Sequence, residues 1–355
     1  MLVGLAASNP AEKAGRCTLR QSPQTLYKTV GCNLKMDEKQ IIEWLLKGDV
    51  SIQYQVYHDL LGTDRKDLQD RILDEGWGKQ FLSKRKPNGH WGDRFYQPKW
   101  ISTHYTLLDL RNLNPNPNNK FVKESIEQVL NTSIVEDGGI QLGPSTSHHS
   151  DVCVNGMFLN YASYFRISEK RLQSIVDSLL NEIMPDGGFN CRTTRSGASH
   201  SSLHSTISVL EGLFEFQKAG FRYRKDDILT AIKSAEEFIQ IHRLFLSDRT
   251  GKVIHKDFLK LAYPSRWKYD ILRALDYFQK TERKWDDRMD DALEMILKKR
   301  NKNGTWNMQA AHPGEVHFVM EKAGKPSRWN TLRAMRVLKH FEKNKKLQPT
   351  KAIAH

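Results

Sequence analysis

Apolar residues recur at three- and four-residue steps through most of the chain, as in Leu172, Ile175, Leu179 and Ile183. That spacing lines one face of a helix. Runs of this kind fall at 38–47, 64–85, 119–131, 169–182, 226–242 and 286–300. A second set of helix-like apolar runs starts near Ser51, Trp100, Asp151, His204, Trp267 and Trp329. No convincing run of alternating apolar and polar residues marks a sheet. The two sets interleave. The pattern therefore predicts an all-α fold of about six helical hairpins, each with an outer helix, a turn and an inner helix.

The turns repeat. Asn88-Gly89-His90-Trp91, Asp137-Gly138-Gly139-Ile140, Asp186-Gly187-Gly188-Phe189 and Asn303-Gly304-Thr305-Trp306 are four copies of one device. The first three recur with a period of 49 residues, at 88, 137 and 186. Such a period, with two helices per unit, means stacked hairpins. Asp248-Arg249-Thr250-Gly251 stands in for the turn of the fifth unit. Six hairpins can close into a ring, which buries the end units that an open solenoid has to cap. The expected division is an arm over 1–35, either disordered or extraneous, then the ring domain over 36–342 and a flexible basic tail over 343–355.

Composition narrows the class. No apolar stretch reaches the roughly 18–20 residues that span a bilayer. Lys and Arg number 55 against 41 acids, a net charge of +14. A solvated basic surface explains that balance, and so does attraction to pyrophosphate or an anionic membrane. No nucleic-acid motif accompanies the charge, so no nucleic-acid partner is expected, while peripheral membrane contact stays open. Met1–Ala7 lacks the basic start of a secretory signal. The cysteines Cys17, Cys32, Cys153 and Cys191 are too few for a disulfide framework, and a reducing cytoplasm is the expected setting.

The candidate chemistry sits at the inner-helix starts. Asp151 and Cys153 begin one inner run and His204 begins the next. Carboxylate, thiolate and imidazole are ligands that zinc accepts in a site with an open position. Cys191, in the intervening loop, is the candidate fourth ligand. His148, His149 and His200 lie close in sequence and could orient a ligand. The plainer alternative makes Cys153 a small core residue and His204 a polar helix start.

These residues carry a resemblance. Asp151-Val152-Cys153, then Asp186-Gly187-Gly188-Phe189 and His204, resembles the zinc-binding pattern of protein prenyltransferase beta subunits. The six-hairpin plan resembles the alpha/alpha toroid shared by those subunits and by squalene and oxidosqualene cyclases. The runs over 187–192, 199–213 and 326–333 are similar to bacterial single-chain toroid proteins described as prenyltransferase-like or squalene-cyclase-like. The likeness covers Met36 to Phe341. It implies a zinc-dependent transferase or terpenoid-cyclase-like enzyme acting on an isoprenoid or other anionic amphiphile, with Asp151, Cys153 and His204 as catalytic candidates; Asp270, from its place at an inner-helix start, is a fourth. The chain departs from the pattern in two ways. It lacks the Asp-x-Asp-Asp acid of class II cyclases, and nothing in it encodes the alpha subunit of a prenyltransferase. Asp286-Asp287-Arg288-Met289-Asp290 matches a magnesium motif but reads as helix capping.

Further polar residues mark the expected mouth of the ring. His104, Tyr269, Asp270 and Asn330 occupy inner-helix starts, and Arg192, Arg195, Arg266 and Arg328 lie beside them. With His200 and Trp329 they form a candidate ligand site. Three arginines from different units could converge on one anion at helix N-termini. Two other classes compete with the zinc enzyme. One is a carbohydrate-active toroid, for which Asp270 and Glu211 are the available carboxylates. The other is a non-catalytic ligand-binding scaffold. In every case the expected partner is a small-molecule or lipid-like ligand.

Overall fold

The computed structural model describes residues 38–142, 149–192, 196–309 and 311–346, and the chain there is mostly helical. The arm over 1–35, Arg195, His148, Cys17 and Cys32 lie outside the described residues. No helix among those described is long and apolar enough to cross a membrane.

Two kinds of helix alternate. One kind buries a single face: α1 over 38–46, α3 Lys66–Arg71 and α4 Gly76–Leu82, α6 Lys120–Thr132, α8 Glu169–Asn181, α10 Lys225–Ile241 and α12 Asp290–Lys298. In α8 the buried residues include Leu172, Ile175, Val176 and Leu179, the stripe read from the sequence. The other kind is buried over most of its surface. It comprises α2 Val50–Gln55 with its π-helical continuation Val56–Leu60, α5 Thr103–Leu113, α7 Val152–Tyr164, α9 Leu203–Lys218, α11 Ile271–Lys280 and α13 Arg328–Lys346.

Local chemistry sets the boundaries. The expected run over 64–85 divides in two, because Gly76 takes a left-handed φ of 51° that a helix interior does not allow. The fifth buried helix begins at Ile271 rather than Trp267, since Asp270 caps it by accepting from Arg273 N at 2.9 Å. A short strand pair was not expected: β1 Trp306–Asn307 pairs antiparallel with β2 Pro326–Ser327. It pins the long connection that precedes α13.

The repeated turns share a lock. After the glycine, Trp91 N and Phe189 N each donate to a threonine hydroxyl in the following buried helix, Thr103 and Thr206, at 3.0 Å. Trp306 N does the same to Thr331 at 3.0 Å, and Ile140 N donates to Asn155 Oδ1 at 2.7 Å. Asp137 and Asp186 add a second tie by accepting from Ser150 N and Ser201 N at 2.6 and 2.8 Å. Each turn thus satisfies its own buried N–H by fastening the start of the helix that follows.

The buried helices touch in series. Gln55 of α2 donates to Asn112 O and Leu113 O at the end of α5 at 3.1 and 3.3 Å. His104 of α5 meets Tyr161 Oη of α7 at 3.2 Å. Glycines bring α7 and α9 together: a Cβ on Gly156 would stand 2.6 Å from Ser208 O, and one on Gly212 would overlap Gly156 O. Glu211 of α9 pairs with Arg273 of α11 at 2.7 Å, and Asp276 of α11 with Arg336 of α13 at 2.5 Å. Arg336 also reaches Asp59, just past α2, at 2.5 Å.

Candidate functional site

A cavity lies among the buried helices, and all six contribute to its wall. Its outer chamber, about 310 Å³, is bordered by Asp59, Asn112, Asn160, Glu211, Glu215, Asp276 and Gln279 among others. Its inner chamber, about 60 Å³, shares Gln55, Asn112, Glu211, Asp276, Lys280 and Arg336 with the outer one and adds Arg266, Arg273, Trp329 and Arg333. The exposed rim residues His58, Lys218, Lys280 and Glu282 belong to the outer chamber. They stand at the C-terminal ends of their helices, so the opening is there. At the opposite end, residues 311–321 lie on α5: Trp100 Nε1 donates to Pro313 O at 2.6 Å, and His317 Nε2 meets Thr106 Oγ1 at 2.9 Å. This cavity therefore opens at the C-terminal ends of the buried helices, while a second cavity of about 550 Å³, bordered by His204, Tyr269 and Asp270, lies at the N-terminal ends where the sequence placed the mouth.

The wall is built from ion pairs. Arg273 grips Glu211 with two nitrogens at 2.9 and 2.7 Å. Arg111 pairs with Glu215, and Arg266 with Asp109. Arg336 holds Asp276 through two nitrogens at 2.5 and 2.7 Å. Arg333 reaches the same Asp276 at 3.4 Å, and Lys280 does so at 3.2 Å. Burial pushes the Asp276 carboxyl up, but Arg336, Lys280 and Arg333 together outweigh it and hold the group well below the usual carboxylate range. Asp59 is likewise held down, with Arg336 overcoming the effect of burial.

Several buried polar atoms in this wall have no hydrogen-bond partner among the described residues. They are Arg333 Nη1, Arg111 Nε and Trp329 Nε1 on the donor side, with Asn160 Oδ1 and Gln279 Oε1 on the acceptor side. A buried polar group left unpaired costs about 1–3 kcal/mol. All five belong to residues that border this cavity.

The expected zinc set assembles only in part. Cys191 Sγ accepts from Cys153 N at 3.1 Å and from Ser205 Oγ at 3.2 Å, so the two cysteines meet. The hydrogen bond with the Cys153 side chain, helped by Ser205, lowers the Cys191 thiol despite its burial. His204 turns to the next helix pair. Its Nδ1 accepts from Tyr269 N at 2.8 Å, and its ring stands edge-on to Phe258 and Trp267 at 5.2 and 5.0 Å. Burial, then Arg273, lowers it to about 4. Asp151 is buried at the N-cap of α7. Among the described residues no group of three or more His, Cys, Asp or Glu side chains is placed to hold a metal. The structure does not bring Asp151, Cys153, Cys191 and His204 together as one metal site.

Tyr269 and Asp270 share the second cavity with His204, and the other candidates scatter. Asp270 is a helix cap, and burial pushes its carboxyl up. Tyr269 Oη donates to Leu244 O at 2.5 Å. Asn330 Nδ2 donates to Leu261 O at 2.7 Å. His104 is fully buried. His200 is exposed against Arg249 at 3.3 Å. The three arginines do not converge on one anion. Arg192 is exposed, Arg266 points into the inner chamber, and Arg328 stacks on Trp44 at 4.5 Å while donating to Trp44 O. Asp286 caps the short turn before α12 by accepting from Arg288 N at 2.9 Å. Sequence reading singled out Arg266, Trp329 and Glu211 of the cavity but missed Arg273, Asp276, Arg333 and Arg336. Their signal is a charge pair three residues apart inside an otherwise apolar run, as in Arg333 and Arg336 among Leu332, Ala334, Met335, Val337 and Leu338.

No protein-family model matches the chain, and no curated protein matches it.

Proposed function

We propose that the six hairpins form a closed alpha/alpha toroid of the terpenoid-cyclase and protein-prenyltransferase type, and that its central cavity binds a polar small molecule. The series of helix contacts supports closure, since it leads from α2 through α5, α7, α9 and α11 to α13, and Arg336 returns it to Asp59. The polar ligand rests on one observation: the cavity wall is built largely of ion pairs and amides, and five of its residues carry polar atoms without a partner among the described residues. Such a lining suits the charged head of the expected amphiphile better than its isoprenoid tail, for which the wall offers only Leu108, Phe214 and the faces of Tyr263, Tyr277 and Trp329. A volume of about 310 Å³ reaches the lower range of small-molecule sites. Of the competing readings, a carbohydrate-like ligand fits best. Binding is the supported activity, because Glu211, Glu215, Asp276 and Asp59 each serve an arginine and form no independent acid–base pair. Zinc is no part of this reading.

Calorimetric titration with glucose, glucose 6-phosphate, pyrophosphate and farnesyl diphosphate tests it. The expected result is saturable binding of a sugar-type ligand that weakens about tenfold in Asn160→Leu, the equivalent of one hydrogen bond. Farnesyl diphosphate binding far more tightly than pyrophosphate would restore the lipid substrate and overturn the polar reading.

A further inference from the structure

We infer that the inner chamber is an anion subsite, and that the ligand is a polyhydroxylated molecule bearing one compact anion, a sugar acid or a sugar phosphate. The inference rests on the polar-cavity reading and goes further by assigning each chamber a chemical group.

The two chambers differ in what they lack. In the inner one the unmet atoms are donors, Arg333 Nη1 and Trp329 Nε1. Arg333 is only 5% exposed. Its one carboxylate contact is the 3.4 Å approach to Asp276, an acid already held more closely by Arg336 at 2.5 Å. Asp109 and Asp59 stand behind the chamber and serve Arg266 and Arg336. Asp270, the next carboxylate toward Arg333, spends its oxygens on Arg273 N and Ser265 Oγ. Arg333, which borders this chamber, thus keeps one guanidinium nitrogen without a partner among the described residues. A guanidinium edge and an indole N–H, neither able to accept, select an oxyanion. In the outer chamber the unmet acceptors are the amide oxygens of Asn160 and Gln279, and the one unmet donor, Arg111 Nε, belongs to a guanidinium already paired with Glu215. Carboxamides accept from and donate to hydroxyls whichever way they are turned, so they suit the polyol part. The chambers share Gln55, Asn112, Glu211, Asp276, Lys280 and Arg336 as wall residues, so they are immediate neighbours.

The test compares glucose, glucose 6-phosphate, glucuronate and inorganic phosphate by calorimetry on the full chain. The charged sugars should bind ten- to a hundredfold more tightly than glucose, the scale of charged hydrogen bonds to a buried arginine. The phosphate and carboxylate arms identify which anion is preferred. Arg333→Met should abolish that preference, bringing the charged sugars to the variant's own affinity for glucose. Trp329→Phe removes the indole donor while keeping an aromatic ring between Trp77 and Tyr263, and it should reduce the preference partially, which serves as the test should the first variant fail to fold. Equal affinity for glucose and both charged sugars would mean that the inner chamber holds only water. That result overturns the subsite while the polar cavity stands. Absence of binding by every sugar and anion overturns both.

Discussion

His104 shows how a single residue ties the interior to pH. It is wholly buried, its Nδ1 meets Tyr161 Oη at 3.2 Å, and its Nε2 has no partner among the described residues. Burial, then the charge of Arg266, lowers its pKa from 6.5 to about 3. Between those values the unfolded chain takes up a proton that the folded chain refuses. The stability contributed by the neutral imidazole is therefore full above pH 6.5 and is lost as pH falls toward 3, at about 1.4 kcal/mol per pH unit. In His104→Asn that slope should disappear. The variant's deficit in urea-unfolding free energy should then shrink from pH 7 to pH 4.5, whereas a constant deficit would show that His104 is not held neutral. The residue scale is also where sequence reading was weakest. Arg333 and Arg336 lie three apart on a helix, which in one dimension looks like the exposed edge of an amphipathic face. Only packing reveals that this edge faces an enclosed polar cavity. His204 failed for a similar reason, since its position at a helix start was legible but its orientation toward Tyr269 N depended on a loop 65 residues away.

The helices themselves were far more legible, because the stripe of α8 and the repeated glycine turns are local patterns. The boundaries moved where a single side chain decided them, as with Asp270 before α11 and Gly76 between α3 and α4. One interface depended on what the sequence omits. Gly156 and Gly212 stand mid-helix, where alanine ordinarily gains about 1 kcal/mol over glycine. Here a Cβ on either residue would press on backbone of the partner helix, and backbone cannot rotate out of the way as a side chain can. Overpacking of this kind costs about 1–3 kcal/mol or more. Gly156→Ala and Gly212→Ala should each lower the melting temperature, while Gly62→Ala at an open surface position serves as a control for ordinary glycine strain. A rise in melting temperature in either helix variant would mean that α7 and α9 are not in backbone contact.

At the scale of the whole molecule, the question is whether the chain has ends. A linear array of hairpins has two, and its terminal units open more readily than its middle because each is supported on one side only. The proposed toroid has none. Its first and last buried helices support each other through Arg336 with Asp59 at 2.5 Å, Arg336 with Gln55 at 3.3 Å and Lys339 donating to Leu60 O. The central cavity depends on the same closure, since α13 supplies Arg333 and Arg336 and α2 supplies Gln55. Ligand binding and ring integrity should therefore be lost together. Native-state hydrogen exchange measures this directly. In a closed ring the slowest amides of α2 and α13 should exchange with the same opening free energy as those of α7 and α9, because none opens without the rest. Asp59→Asn should lower protection in α2 and α13 in parallel, since loosening the junction exposes both sides of it. Distinctly weaker protection of α2 and α13 in the unaltered protein, graded toward the middle helices, is the signature of an open array and would sink the toroid.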